Sequence, residues 1–332
     1  MCSSIDAHGK AGTGVDSSTP DDAFAPVRTA NGGRLPDFVI VGSPKCGTTT
    51  LYQHLQRHPD VFMSTPKEPS FFSRDERYRN GLESYCELFA GAADHQRCGE
   101  ASTTYTRWPT FPNTVDRLAD AAPHVKLLYL VRNPVDRLYS FYAHRMRERA
   151  TMDMDTFLDA TPEALHSGMY MSQIEQLLRR FPREQLCVLL LEDLIRDTPK
   201  TLEQVARFLG LPQFDFGPAG RLVANRGDGH HAATQKVTAI LRTIKRTPLV
   251  GHAARLAPAA AKKRVFRWLQ EGPVGRHLKT RHNRQLTPMS PALRRRLFSL
   301  LEEDLAAFES FLGRDLSHWN ETQRPKVEEQ PT

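Results

Sequence analysis

Apolar residues along the chain fall into two patterns. Nearly unbroken apolar runs at residues 37–42 (Asp37-Phe38-Val39-Ile40-Val41-Gly42), 125–131 and 186–191 read as short strands buried on both faces. Between and after them the apolar residues recur at helical spacing. Residues 48–58 put Leu51, Tyr52 and Leu55 on one face and stop before Pro59, and residues 135–149, 172–181, 201–209 and 291–311 show the same period, the last ending at Gly313. Strands alternating with helices predict an α/β fold, a central parallel sheet flanked by helices on both faces.

The remaining stretches set the domain plan. Residues 1–34 are rich in Gly, Ser, Thr and Asp and are expected to form a disordered tail. Residues 35–320 are then a single domain, followed by a flexible tail at 321–332. Within the domain, residues 221–286 are rich in Ala, Arg and Lys, are broken by Pro248, Pro258 and Pro273, and read as a basic helical insertion or lid. Charge sharpens this picture. The 332 residues carry a net +7, but residues 221–300 hold 18 Lys and Arg against Asp228 and Glu271, so the rest of the chain is net acidic. Positive charge this concentrated suits an anionic partner.

Several classes fall away on composition. No run reaches the roughly 18 consecutive apolar residues of a membrane span. Asp6, Asp16, Asp21 and Asp22 interrupt any signal-like core near the start, which makes the cytoplasm the expected compartment. The five cysteines are widely spaced with no C-x-x-C pair, which reads as thiols and not as a disulfide framework or a zinc site.

The first strand runs into Gly42-Ser43-Pro44-Lys45-Cys46-Gly47-Thr48-Thr49-Thr50-Leu51, a loop and a helix start. Successive backbone N–H groups there, added to the positive helix end, form an anion cradle to which Lys45 and three threonine hydroxyls contribute. The loop is P-loop-like, and Gly42 and Gly47 have the spacing of a nucleotide-hydrolysing P-loop. Thr48 nonetheless stands where that motif has lysine, and the strand at 125–131 ends in Arg132 where magnesium would need an acid. A phosphate or sulfate site fits; ATP or GTP hydrolysis does not.

These residues resemble the sulfotransferases that use 3′-phosphoadenosine 5′-phosphosulfate. Pro44 to Leu51 match that family's 5′-phosphosulfate loop, which implies donor contacts at Lys45, Cys46, Gly47, Thr48, Thr49 and Thr50. Arg132-Asn133-Pro134-Val135-Asp136-Arg137-Leu138-Tyr139-Ser140 matches its 3′-phosphate motif, which implies that Arg132 and Ser140 hold that phosphate. Lys67-Glu68-Pro69-Ser70-Phe71-Phe72 is similar to a segment of the heparan-type and bacterial carbohydrate enzymes whose Glu is the general base. The likeness spans about residues 36–212 and 286–319 and departs at Ala101, where related carbohydrate enzymes often carry Lys.

The resemblance implies sulfuryl transfer to a hydroxyl of a carbohydrate, glycolipid or other small metabolite, without a metal. Lys45 would neutralise charge growing on the leaving nucleotide, and Glu68, expected to be partly desolvated beside Phe71 and Phe72, would take the acceptor proton. Two rival readings remain open. One is a P-loop kinase, opposed by Thr48 and Arg132. The other is a protein that binds an anionic membrane or nucleic acid through the basic segment. Specific nucleic-acid recognition is not expected there, because Phe266 and Trp268 alone offer stacking rings.

Overall fold

The computed structural model describes residues 33–148, 152–217 and 289–320. The expected insertion at 221–286 and nearly all of both expected tails lie outside these residues. Arg34, at the edge of the first tail, is buried and donates to the carbonyls of Ala93 and Gln96.

The strands are β1 (Phe38–Gly42), β2 (Val61–Met63), β3 (Arg97–Ala101), β4 (Lys126–Val131) and β5 (Leu186–Leu190). Among the described residues they form one parallel sheet in the order β2-β3-β1-β4-β5. Between β1 and β3 lie α1 (Thr48–Leu55), α2 (Asp75–Tyr78) and α3 (Leu82–Cys86); α4 (Thr114–Ala121) precedes β4. After β4 come α5 (Pro134–Glu148), α6 (Met154–Ala160), α7 (Glu163–His166) and α8 (Tyr170–Leu178). Past β5 are α9 (Leu191–Arg196), α10 (Thr198–Leu209), α11 (Pro291–Ser299) and α12 (Glu302–Leu312).

The sheet is covered on both faces because successive side chains of a strand point opposite ways. Val39 and Val41 join Leu127, Tyr129 and Val131 in a core shared with Ile174 and Leu177 of α8 and Phe308 of α12. Phe38 and Ile40 join Leu128 and Leu130 on the other face, against Leu51 and Leu55 of α1 and Leu202 and Val205 of α10. A third cluster, with Val135, Leu138 and Phe141 of α5, Phe157 of α6 and Leu297 of α11, packs beside the sheet. β3 passes close under β1, and a Cβ at Gly99 would come within 2.1 Å of the Phe38 ring.

The expected α/β architecture is therefore present, and three of the five strands match the apolar runs. The single helix expected over 291–311 is instead two, α11 and α12, separated at Leu300 and Leu301. Leu297 and Leu301 belong to the third cluster and Phe308 to the sheet core, so the chain must turn to serve both. One straight helix would leave one of these groups in water.

Phe308 makes the docking of α12 measurable. Its ring is fully buried, 5.4 Å from Tyr170 and stacked on Trp319 at 6.4 Å. Phe308→Ala is expected to lower unfolding stability by about 3 to 5 kcal/mol, read from denaturant midpoints. A loss under about 1 kcal/mol would mean that α12 contributes little to the core.

Candidate functional site

Because β3, β1 and β4 are neighbours and parallel, their C-terminal ends open on one edge of the sheet. The β1–α1 loop is fixed there by its own polar groups. The Ser43 N–H donates to Leu130 O on β4 (2.6 Å), the Ser43 hydroxyl donates to Ser167 O (2.9 Å), and the Cys46 N–H turns back to Ser43 O (3.2 Å). Lys45 (φ 70°) and Gly47 (φ 86°) take left-handed backbone, which is strained for the lysine and natural for the glycine. α1 begins at Thr48 with no side-chain cap, so the N–H groups of Thr48, Thr49 and Thr50 keep the unsatisfied donor character of a helix start.

Cys46 sits inside the loop. Its amide donates to Ser43, its side chain is completely buried, and burial pushes the thiol up to about 11. Its side chain closes the loop from within.

β4 ends directly beside this loop. Arg132 is half-buried and its Nη1 reaches Lys45 O at 3.5 Å. Among the described residues no carboxylate pairs with its guanidinium, which leaves it available to an anion. Its position is set from below by Tyr170, whose hydroxyl donates to Arg132 O (2.7 Å) and lies 3.9 Å from Cys46 Sγ. Asn133 then starts α5, its Oδ1 accepting from the N–H groups of Val135 and Asp136 while its Nδ2 donates to Trp319 O. Ser140 lies two turns along α5, half-buried. Arg137, between them, is buried completely; its Nη2 donates to Ala164 O while Nε and Nη1 have no partner among the described residues.

Glu68 arrives from β2. The chain after Met63 follows β3, with Ser64 N–H on Gly99 O and Glu68 N–H on Ala101 O (2.9 Å), which carries Glu68 to the same edge. Its carboxylate accepts from the Thr103 N–H (2.8 Å) and hydroxyl, and from Lys67 Nζ (2.5 Å). Glu68 (φ 64°) and Ser70 (φ 50°) are left-handed, a strain that places the carboxylate while Phe71 and Phe72 enter the core. Those two rings pack on Tyr85, and so belong to the interior and not to the site.

Sequence reasoning missed Glu100. It is fully buried on β3 and accepts from the hydroxyls of Tyr85 (2.9 Å), Tyr105 (2.7 Å) and Ser102 (2.6 Å). Ser102 Oγ in turn accepts the Ser70 N–H (2.8 Å), so this carboxylate anchors the segment that carries Glu68. The signal available in the sequence was a Glu two residues from a Ser and five from a Tyr, which is too common to stand out.

With this geometry established, the likeness to known proteins has a structural basis. A family model for the sulfotransferase domain matches residues 35–220, more than half of the chain, and the chain belongs to that family. It is similar to carbohydrate sulfotransferase 15 of Rattus norvegicus (30% identical over 246 residues, 53% of this chain and 44% of the relative). It is also similar to heparan sulfate glucosamine 3-O-sulfotransferase 3A1 of Homo sapiens (32% over 216 residues, 61% and 52%). The chain thus spans about half the length of these curated relatives. Among solved structures, a sulfotransferase from Alicyclobacillus acidocaldarius superposes with a TM-score of 0.59 at 26% identity, over 86% of this chain and 99% of that one.

Burial pushes the Glu100 carboxyl from its ordinary 4.5 up to about 7, against the opposing effect of the three hydroxyl donors. Below about pH 4.5 the group is protonated in folded and unfolded chains alike; between there and about pH 7 the unfolded chain gives up the proton first. Stability from this group is therefore greatest at low pH, declines across that window and levels off above it. The gap corresponds to on the order of 3 kcal/mol. Glu100→Gln should remove that slope, so that the stability difference between parent and variant changes between pH 5 and pH 8 in denaturant titrations. Parallel curves would place the titration elsewhere.

Proposed function

We propose that this protein transfers a sulfuryl group from 3′-phosphoadenosine 5′-phosphosulfate to a hydroxyl of a carbohydrate, glycolipid or other small metabolite. The observation that carries the reading is the contact between two anion-binding elements. The β1–α1 loop and Arg132 meet at the adjacent ends of β1 and β4, with Glu68 held on the next loop over. A ligand with two separated anionic groups suits that pair better than one with a single phosphate chain. The uncapped start of α1 and the guanidinium of Arg132, which no described carboxylate neutralises, fit the two ends of such a donor. When bound, the donor supplies an activated sulfur whose leaving group is a phosphate oxygen.

The residues divide the work. The N–H groups of Thr48, Thr49 and Thr50 hold the 5′ end, and Lys45 counters the negative charge that develops on the leaving oxygen as the old S–O bond breaks. Arg132 and Ser140 hold the 3′-phosphate and so fix the nucleotide's register. Glu68 accepts the acceptor's proton as its oxygen forms the new S–O bond, and the Thr103 and Lys67 donors orient that carboxylate. The relatives' names support a carbohydrate acceptor, and the acidic group that a kinase needs for magnesium is replaced at the end of β4 by Arg132.

Incubation with the donor and a panel of sugars, glycolipids and phenols, with product mass read for one added sulfuryl group, tests the activity. Glu68→Gln should keep binding to adenosine 3′,5′-bisphosphate while transfer falls by about 10² to 10⁴; a near-normal rate would remove Glu68 from the role of base. Arg132→Ala should weaken the bisphosphate by about 1.5 to 3 kcal/mol in calorimetry and leave adenosine 5′-phosphate nearly unaffected. Equal losses for both nucleotides would refute the 3′-phosphate assignment.

A further inference from the structure

A cation is sealed beneath the β1–α1 loop. Arg137 is fully buried in the first turn of α5, its own N–H closing that turn on Asn133 O (2.9 Å). Its Nη2 donates to Ala164 O of α7, while Nε and Nη1 are buried without a hydrogen-bond partner and no carboxylate oxygen lies within ion-pair distance among the described residues. The guanidinium lies against Gly168, where a Cβ would come within 3.0 Å of Nη2. Ser167, the residue before that glycine, is also buried, and its carbonyl accepts the Ser43 hydroxyl of the β1–α1 loop (2.9 Å). Arg137 thus reaches the underside of the loop through the turn at residues 164–168.

Ordinary electrostatics disfavours this arrangement. An arginine does not shed its charge on burial, an unpaired buried charge is costly, and a cation in the first turn of a helix meets the positive end of the dipole. An apolar side chain of similar volume would avoid all three penalties. The charge that faces Arg137 from the loop after β3 is a second cation, Arg107, whose Nε donates to Thr103 O at 3.3 Å. The influence of Arg137 nonetheless reaches the interior of the β1–α1 loop. Burial pushes the Cys46 thiol up, and against that push Arg137 acts more strongly than Arg132. The Tyr129 and Tyr170 hydroxyls, also raised by burial, feel the same opposing charge. A cation kept in such a place without a carboxylate of its own needs a counter-charge from outside the chain, and the element it stands under is the loop built to hold an anion.

We propose that Arg137 is a positioning residue whose buried charge is matched by the donor's 5′ anionic group, bound above it on the β1–α1 loop. This rests on the sulfotransferase reading and adds to it a source of positive potential that no exposed side chain supplies. Arg137 does not touch the ligand. It acts by holding the turn that carries Ser167, and across the loop as a fixed charge enclosed in protein, where salt screens it little.

Calorimetry with adenosine 5′-phosphate and with inorganic pyrophosphate, a mimic of the phosphosulfate, tests this. Arg137→Met keeps an apolar stem and removes the charge, whereas Arg137→Lys keeps the charge and loses the planar fork. Arg137→Met should weaken both ligands about 10-fold, at low and high salt alike, and Arg137→Lys should recover most of the loss. Unchanged affinity in Arg137→Met overturns the proposal, and so does a loss that lysine does not recover, which is the mark of a merely structural arginine. Should Arg137→Met fail to fold, the Nε–H resonance of Arg137 in protein carrying isotope-labelled arginine, assigned by its absence from Arg137→Lys, decides the matter. It should shift as pyrophosphate saturates the parent, and a stationary resonance overturns the proposal. A parent that binds pyrophosphate but not adenosine 3′,5′-bisphosphate refutes the sulfotransferase reading, while the buried charge is still judged on pyrophosphate; a parent that binds neither overturns both.

Discussion

The site depends on β1 lying between β3 and β4 with all three strands parallel. Parallel pairing forces the loops that follow them onto one edge, and the register brings them to nearly the same height: Ile40 pairs with Ala101 on one side and Leu128 on the other. Cross-strand bonds continue past the strand ends, Ser43 N–H to Leu130 O and Ser102 N–H to Ile40 O. The β1–α1 loop and the Glu68 segment are therefore first placed by backbone hydrogen bonds. Placing polar groups from rigid strand ends costs little ordering entropy when a ligand arrives, because the scaffold has already lost it.

Side-chain hydroxyls then lock what the strands place. Tyr170 joins the Arg132 carbonyl to the neighbourhood of Cys46, so the two elements proposed to bind the donor share one support from α8. Glu100, Ser102 and Ser70 form the corresponding tie for the Glu68 segment. This second support contains an ionisable group in a dry place, and its strength varies with protonation. Left-handed backbone at Lys45, Glu68 and Ser70 is tolerated only because these ties over-determine it, and all three positions fall at the C-terminal edge of the sheet.

The sequence showed the elements whose burial needs no partner to explain it. β1, β4 and β5 are apolar on both faces and so announce themselves, and the loop after β1 has a spacing that chemistry constrains. β3 did not, since Arg97, Gly99 and Glu100 look like a surface segment until Tyr85 and Tyr105, far apart in the chain, close over the carboxylate. β2 is three residues long, shorter than any periodicity can register. Lys45, Arg132 and Glu68 were singled out through their motifs, but the contact of Glu68 with Thr103, 35 residues away, and the position of Arg107 behind it are properties of the fold alone. The break between α11 and α12 was hidden for a similar reason. Local pattern continues through Leu300, and only the existence of two separate cores requires a turn.

The two sides of the site are built by different means, and this bears on how the chain could alter what it acts on. The proposed donor side consists of backbone N–H groups, a helix start and an arginine at a strand end, each tied to the sheet; a change there disturbs the core as well. The proposed acceptor side consists of side chains from loops, joined to the sheet through Thr103 and Ser102. Arg107 touches that framework through one bond and one aromatic face. Exchanging it would alter the charge on that loop while leaving the strand register and the β1–α1 loop in place. On the proposed reading, specificity for the acceptor can thus vary on a scaffold whose donor side is held by the same hydrogen bonds that hold the sheet together.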